Sequence, residues 1–233
     1  MKDFKMAFKE SIPVLIEYVF LGLGFGVIMA TNGYHFLYST FSSIIIFAGA
    51  GQYVVANLIA QSASYLTIFL MSLLINIRYG FYGLSFIQHT ANWKWYEKIL
   101  FYWCLVDETY SIIVANSLPS REDTKKHDLW LCFLNWSYWI IGSTLGALLG
   151  SLPLDYTGVD FIMTSLFVII LIDQIRKKDN PRFVTVIGSL CAVISYLIFK
   201  SNFIFPAIAS SIVLIFIFRK KIERQMKKEG KHE

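Results

Sequence analysis

Long apolar stretches separated by short polar turns run along almost the whole chain. An apolar helix of roughly twenty residues crosses the hydrocarbon core of a bilayer. By that measure the pattern predicts about eight crossings, at 11–31, 40–61, 64–88, 98–117, 129–150, 159–175, 181–199 and 202–219. The second stretch is interrupted by Phe47–Gln52 (FAGAGQ), which sets two glycines and a glutamine at mid-depth. Only Lys200-Ser201-Asn202 separates the last two, which predicts a tight hairpin. The predicted fold class is all-α: a polytopic membrane protein with glycine-rich or broken helices.

Composition narrows the class further. Apolar residues make up 56% of the chain and charged residues 16%, with a mean hydropathy of +0.55, which excludes an ordinary soluble domain. Aromatics at 17% suit a lipid-embedded chain, whose Trp and Tyr collect at the interfaces. The pairs Trp93/Trp95 and Trp136/Trp139 are expected to be such anchors. The net charge of +5 is concentrated between spans and in the tail, a pattern that addresses anionic headgroups; no aromatic-and-basic single-strand pattern accompanies it, so nucleic acid is not an expected partner.

Orientation follows from Lys and Arg counts in short loops. Lys2, Lys5 and Lys9 precede the first span; Arg121, Lys125 and Lys126 lie in the 118–128 loop; Arg176, Lys177, Lys178 and Arg182 lie at 176–182. The 32–39 and 151–158 loops have neither residue type, and 89–97 has only Lys94. Eight crossings put the rich loops on one side, so both termini are expected to face the cytoplasm from the cell membrane. The uncharged loop between the second and third spans gives no vote. The first span has no small-residue cleavage site after it and reads as a retained helix. Cys104, Cys132 and Cys191 lack CxxC spacing and read as core or lipid-facing residues. A weak echo relates Gly22, Gly24, Gly26 and FAGAGQ to Gly142, Gly146, Gly150 and Ser165–Ile170. It suggests 1–117 and 129–219 as candidate repeats of one membrane domain, with 220–233 a basic tail.

Polar residues inside apolar spans are the candidates for function, because burying them in lipid is costly. Arg78 is the one charged residue between Ala63 and Ile87. Three roles fit it: a fork for a substrate carboxylate, an ion pair with Glu17 or Asp107, or a side chain reaching to the interface. FAGAGQYVVAN offers Gly49, Gly51, Gln52 and Asn57. A broken helix here would turn backbone N–H groups toward a carboxylate, whereas a continuous helix would use the glycines for packing. Asn76 precedes Arg78 by two residues in the NIRYGFYG segment. Asp107 and Glu108 read as a proton or ammonium site, or as counter-ions of Arg78; Glu17 reads as a similar site or a headgroup-level residue. Asp160 and Asp173 read as helix-end residues. The four-residue glycine spacings, Gly22/Gly26 and Gly142/Gly146/Gly150, fit close helix packing.

No HExxH, GxSxG, Walker loop or metal cluster appears, and His35, His89, His127 and His232 are placed in loops or the tail. An enzyme, a metal and a cofactor are therefore not expected. The glycine-rich first span, FAGAGQYVVANL, NIRYGFYGLSF, DETYSI, and GxxxGxxxG followed by Asp160-Phe161 together resemble the AzlC family, the larger subunit of bacterial branched-chain amino acid exporters. The resemblance covers about residues 11–175. The family usually reads FAGSAQF, from which Ala50, Gly51 and Tyr53 depart; Asn76, Arg78 and Tyr79 agree with its arginine segment. The resemblance implies export of leucine, isoleucine, valine or other hydrophobic amino acids, and a small membrane partner of the AzlD type. With the polar residues above it suggests a proton-coupled exporter. The competing expectation is a non-transporting or channel-like subunit whose charges only hold helices together.

Overall fold

In the computed structural model, residues 2–115, 124–152, 182–200 and 204–218 are described, together with Phe161, Ser165, Val168 and Ile172. Most of the sixth predicted span, with Asp160 and Asp173, lies outside the described residues, as do Arg121, Arg176–Lys178 and the basic tail. Among the described residues the regular structure is entirely helical, as the apolar pattern predicts. Residues 1–164 form one compact unit and 165–233 another. The first unit holds α1 (Lys2–Thr31), α2 (Phe36–Ile45), α3 (Ala50–Ala60), α4 (Tyr65–Ser85), α5 (Trp95–Trp103), α6 (Asp107–Ala115) and α7 (Lys125–Gly150). The second holds α8 (Arg182–Phe199) and α9 (Ile204–Ile217), which pack on each other.

The most extensive contact in the first unit is α1 on α7, and glycine makes it. A Cβ on Gly22 would come within 2.8 Å of Ser143 N, and one on Gly142 within 2.7 Å of Tyr18 O. At Gly26 it would collide with the backbone of Ser143, and at Gly146 with that of Leu23. Gly150 lies against Val27 and Ala30. Small residues thus bring two backbones into direct van der Waals contact, the main source of helix association where lipid offers no hydrophobic gain. The contacting numbers rise together along both helices, so α1 and α7 run in the same direction.

Two of the stretches expected to cross do something else. The 40–61 stretch breaks at Ile46–Gly49 between α2 and α3, each about 15 Å long, half of a hydrocarbon core of roughly 30 Å. α2 starts beside Ser143 and Thr144 through Ser39 and Thr40, and ends with Ile44 O accepting from Trp136 Nε1 at 3.3 Å. It therefore runs against α7. α3 then runs against α4: Ala48 meets Tyr79 and Gly51 meets Asn76. Since α4 ends near the start of α7, where His89 meets Asp128, α3 climbs back to the end that α2 came from. The 98–117 stretch behaves likewise. α5 rises beside α7, breaks at Cys104–Val106, and α6 turns back along α4, with Asp107 at Tyr82 and Tyr110 at Tyr82 and Phe86.

Each of these stretches is thus a re-entrant hairpin, and the two enter from opposite ends. The unit α1 plus α2/α3 is repeated upside down as α4 plus α5/α6, an inverted arrangement of a kind common in transporters. Of the described helices, α1, α4 and α7 are long and apolar enough to cross a membrane. α4 turns Leu66, Phe69, Leu73, Ile77, Phe81 and Leu84 outward, a strip suited to lipid. The hairpin topology also rearranges the charges. The turns at 32–35 and 61–64, free of Lys and Arg, share one end; the N-terminal lysines, Lys94, Lys98, Lys125 and Lys126 share the other. Lys94, on the sparse side in an eight-crossing scheme, joins the basic end.

Two sequence expectations are corrected by burial. Trp139 is not an interfacial anchor: it is enclosed by Tyr18, Phe25 and Tyr53 at the centre of α7. His127 is not in a loop but in the first turn of α7, and it is buried. All three cysteines are buried thiols, as expected.

The glycine seam generates a prediction. Gly146→Leu overpacks it and is expected to destabilise the protein by about 1–3 kcal/mol or more. Gly188→Ala, where an added Cβ meets nothing within 4 Å, should not destabilise it, since alanine favours a helix interior over glycine. Thermal unfolding of the detergent-purified protein separates the two.

Candidate functional site

The two hairpin tips meet the middle of α7. Ile44 lies at Trp136, Gln52 at Trp139, and Thr109 at Asn135. Backbone that leaves a helix at membrane depth must be enclosed in protein or line a cavity, and these tips are enclosed: Phe47, Ala48, Cys104, Leu105 and Val106 are all buried. At the first tip Phe47 and Gly49 take positive φ angles of 39° and 44°. For phenylalanine this is strained backbone, and its ring packs edge-on against Tyr18 with centroids 6.2 Å apart.

Gln52 holds this tip closed. Its Oε1 accepts from Ala48 N at 3.2 Å and from Trp139 Nε1 at 2.8 Å, while its Nε2 faces the hydroxyls of Ser42 and Ser43 at 3.4 Å each. A glutamine named from sequence as a ligand contact is therefore engaged in shaping the turn. Asn57 donates to Tyr53 O in its own helix at 3.3 Å. Gly49 caps α3 without a side-chain bond, and Gly51 leaves room for Asn76, whose Oδ1 would lie only 2.7 Å from a Cβ there. The break expected as one of two readings of FAGAGQ is present.

The second tip delivers the acidic pair. Asp107 and Glu108 open α6, where carboxylates complement the helix N-terminus. Arg78 Nη2 lies 2.8 Å from Asp107 Oδ2, and Tyr82 OH donates to Asp107 Oδ1 at 2.7 Å. Tyr18 OH donates to Glu108 Oε2 at 2.5 Å. Glu17 is near enough to Glu108 for their charges to interact. Arg78 also stacks over Tyr79, 5.2 Å from the ring centroid, and Tyr79 OH reaches Ala48 O at 3.4 Å. α4 is accordingly a strut whose residues 76–82 touch both tips.

Arg78 forms the ion pair with Asp107, one of the three roles open to it. Its side chain and that of Asp107 stay 30% and 32% exposed, so packing does not seal the pair. Asn76 Oδ1 and Arg78 Nε are buried and without a hydrogen-bond partner among the described residues. The acceptor lies beside Gly51 of the first tip, and the donor belongs to the guanidinium paired with Asp107 of the second. Of the residues singled out from sequence, the structure brings Gly49, Gly51, Asn76, Arg78, Asp107, Glu108 and Glu17 to the region of the two tips. Sequence reasoning missed Tyr18, Tyr82 and Asn135, because tyrosine and asparagine inside a span give no charge signal. No group of three or more His, Cys, Asp or Glu that could hold a metal ion occurs among the described residues.

A helical membrane protein with two re-entrant hairpins meeting at an ion pair is the class these features define. Within it, the family model described as AzlC protein matches residues 13–152, and this chain belongs to the AzlC family. It is 30% identical over 95% of its length to the branched-chain amino acid transport protein AzlC of Bacillus subtilis (strain 168), covering 87% of that protein. An uncharacterized membrane protein of Helicobacter pylori (strain ATCC 700392 / 26695) is 32% identical, over 96% of this chain and 98% of its own. The inner membrane protein YgaZ of Escherichia coli (strain K12) is 28% identical over 74% and 73% respectively. No solved structure matches the chain.

Replacing Gln52 by Leu strands the Trp139 indole N–H and the Ala48 amide. It is expected to cost about 1–3 kcal/mol, whereas Asn57→Ala should cost far less; thermal unfolding in detergent measures both.

Proposed function

We propose that the protein is a secondary exporter of branched-chain or other hydrophobic amino acids, coupled to the proton gradient. It would work in the cell membrane with a small AzlD-type partner, and with its basic end and both termini in the cytoplasm. The observation that carries this reading is the half-open Arg78–Asp107 pair lying where the two hairpin tips converge. Charge at membrane depth is expensive; a structural pair would be expected to be closed over, and this one is not.

A zwitterionic substrate requires an anion site, a cation site and an apolar surface. Arg78, with its unpaired Nε, and the N-terminus of α3 at Gly49–Gly51 suit the carboxylate. Asn76 Oδ1 accepts from an ammonium group, and Glu108 with Glu17 adds negative charge. Two carboxylates, Glu17 and Asp107, stand near Glu108, and the Arg78 guanidinium pairs with Asp107. That excess of carboxylates fits the taking up of a proton or an ammonium group. Gln52 and Asn57, occupied within the hairpin, act on the shape of the site and not on the ligand. Export by such a binding-and-release cycle involves no bond chemistry, so the protein would not be an enzyme. The relative of B. subtilis, named as a branched-chain amino acid transport protein, supports the substrate class.

One observation favours the competing reading of a channel-like or non-transporting subunit: Asp107 already pairs with Arg78 Nη2 and accepts from Tyr82. Leucine efflux from vesicles containing the chain and its partner, with and without a pH gradient, distinguishes the two. Arg78→Ala is expected to lower leucine flux at least tenfold with normal membrane insertion. Glu108→Gln is expected to keep leucine exchange but lose acceleration by the gradient. Unchanged efflux in Arg78→Ala vesicles removes Arg78 from the site. No flux in the unaltered protein with its partner supports the subunit reading.

A further inference from the structure

Four ionisable side chains form a chain at the end where α1 and α7 begin. Glu10 Oε2 lies 2.8 Å from His127 Nε2, and His127 Nδ1 lies 3.0 Å from Asp128 Oδ1. Asp128 Oδ2 lies 2.9 Å from His89 Nε2, which is also 3.4 Å from Thr124 Oγ1. The middle of the chain is sealed, with the His127 and Asp128 side chains each 2% exposed; the ends are wetter, at 23% for Glu10 and 31% for His89. The four residues come from three places: α1, the turn after α4, and α7.

Both ring nitrogens of His127 face carboxylate oxygens. A neutral imidazole carries one N–H and one bare lone pair, and a lone pair held 2.8–3.0 Å from a carboxylate repels it. Two N–H groups remove the conflict and place a cation between two anions, as burial of charge requires. Asp128 receives an imidazole on each oxygen, and Glu10 stays partly exposed. The extra proton therefore belongs on His127.

We propose that Glu10, His127, Asp128 and His89 form a proton-binding site, with His127 held as the imidazolium, which clasps α1, α7 and the turn after α4 together at the basic end. The charged and titratable groups near this region include the Lys125–Glu97 pair at 2.6 Å, bridging α7 to α5, and the buried Cys132 beneath Asp128. The first carries its own opposite charge and the second is a thiol. The site lies apart from Arg78 and Asp107 and does not depend on what the protein transports. Its chemical ligand is a proton, and its effect is to tie three elements that separate if this end opens.

Histidine-selective 15N NMR of the full chain in lipid nanodiscs at pH 7 reads the site directly, with His35→Gln, His89→Gln and His127→Gln assigning the lines. The expected result is two N–H groups on His127. A single neutral tautomer at His127 overturns the proposal. The second readout is thermal stability against pH. A proton bound more tightly in the folded protein contributes stability below the range where it dissociates, and that contribution is lost as pH rises. The unaltered protein should therefore lose about 2–4 °C of Tm or more between pH 6 and pH 9 relative to His127→Gln. Parallel Tm profiles for the two overturn the proposal. If His127→Gln does not fold, Glu10→Gln takes its place: it should convert His127 to one N–H, and retention of both would count against the clasp.

Discussion

Everything in the first unit depends on how closely α1 approaches α7. Gly22 and Gly26 on one helix and Gly142, Gly146 and Gly150 on the other leave no side chain between the two backbones. A bilayer supplies no hydrophobic drive to press helices together, so contact area and polar satisfaction must do it. The tight pair then provides a protein surface against which non-helical backbone can be buried. Trp139, wedged between Tyr18, Phe25 and Tyr53, extends that surface to the first tip and donates to Gln52. Asn135, one turn earlier, does the same for the second tip through Thr109.

From that surface the rest follows in order. Enclosed tips can be irregular, so two half-helices can end at mid-depth. Ending there, α3 and α6 both direct their N-termini inward, toward residues 76–82 of α4. The second N-terminus carries its own carboxylates, and Arg78 answers one of them. The ion pair is thus a product of the hairpins, which are a product of the glycine seam. Charge placed this way is held by tyrosines on two sides, Tyr82 for Asp107 and Tyr18 for Glu108. The geometry of the acidic pair is therefore fixed by α1 and α4 together.

Much of this was legible in the residues, for reasons that also explain the gaps. Hydropathy found the apolar stretches because burial in lipid is a matter of composition over twenty residues. FAGAGQ advertised a break because glycine weakens a helix. Cys104-Leu105-Val106 did not, since none of the three is a helix breaker; the available signal was the acidic pair behind it, which favours a helix start. The direction of a half-helix is not written in its hydropathy at all. A crossing and a hairpin of the same length have the same composition, and the uncharged 61–64 turn could not separate them. His127 looked like a loop residue because the polar Lys125-Lys126-His127-Asp128 run conceals the first turn of α7. Its burial comes from Glu10, more than a hundred residues earlier in the chain, which no local pattern discloses.

The half-helices also constrain how the polypeptide can assemble as it leaves the ribosome. α2 and α3, at ten and eleven residues, are too short to be stitched across a bilayer singly, and their shared turn has no enclosure until α7 arrives. α7 is synthesised after both hairpins, so the tips must wait, unroofed, while the intervening chain is made. The last turns of α7, ending at Gly150, therefore complete the scaffold for a segment made about a hundred residues before. Nascent chains halted short of that point would hold open helix ends inside the membrane, where quality-control proteases and chaperones recognise unfinished proteins.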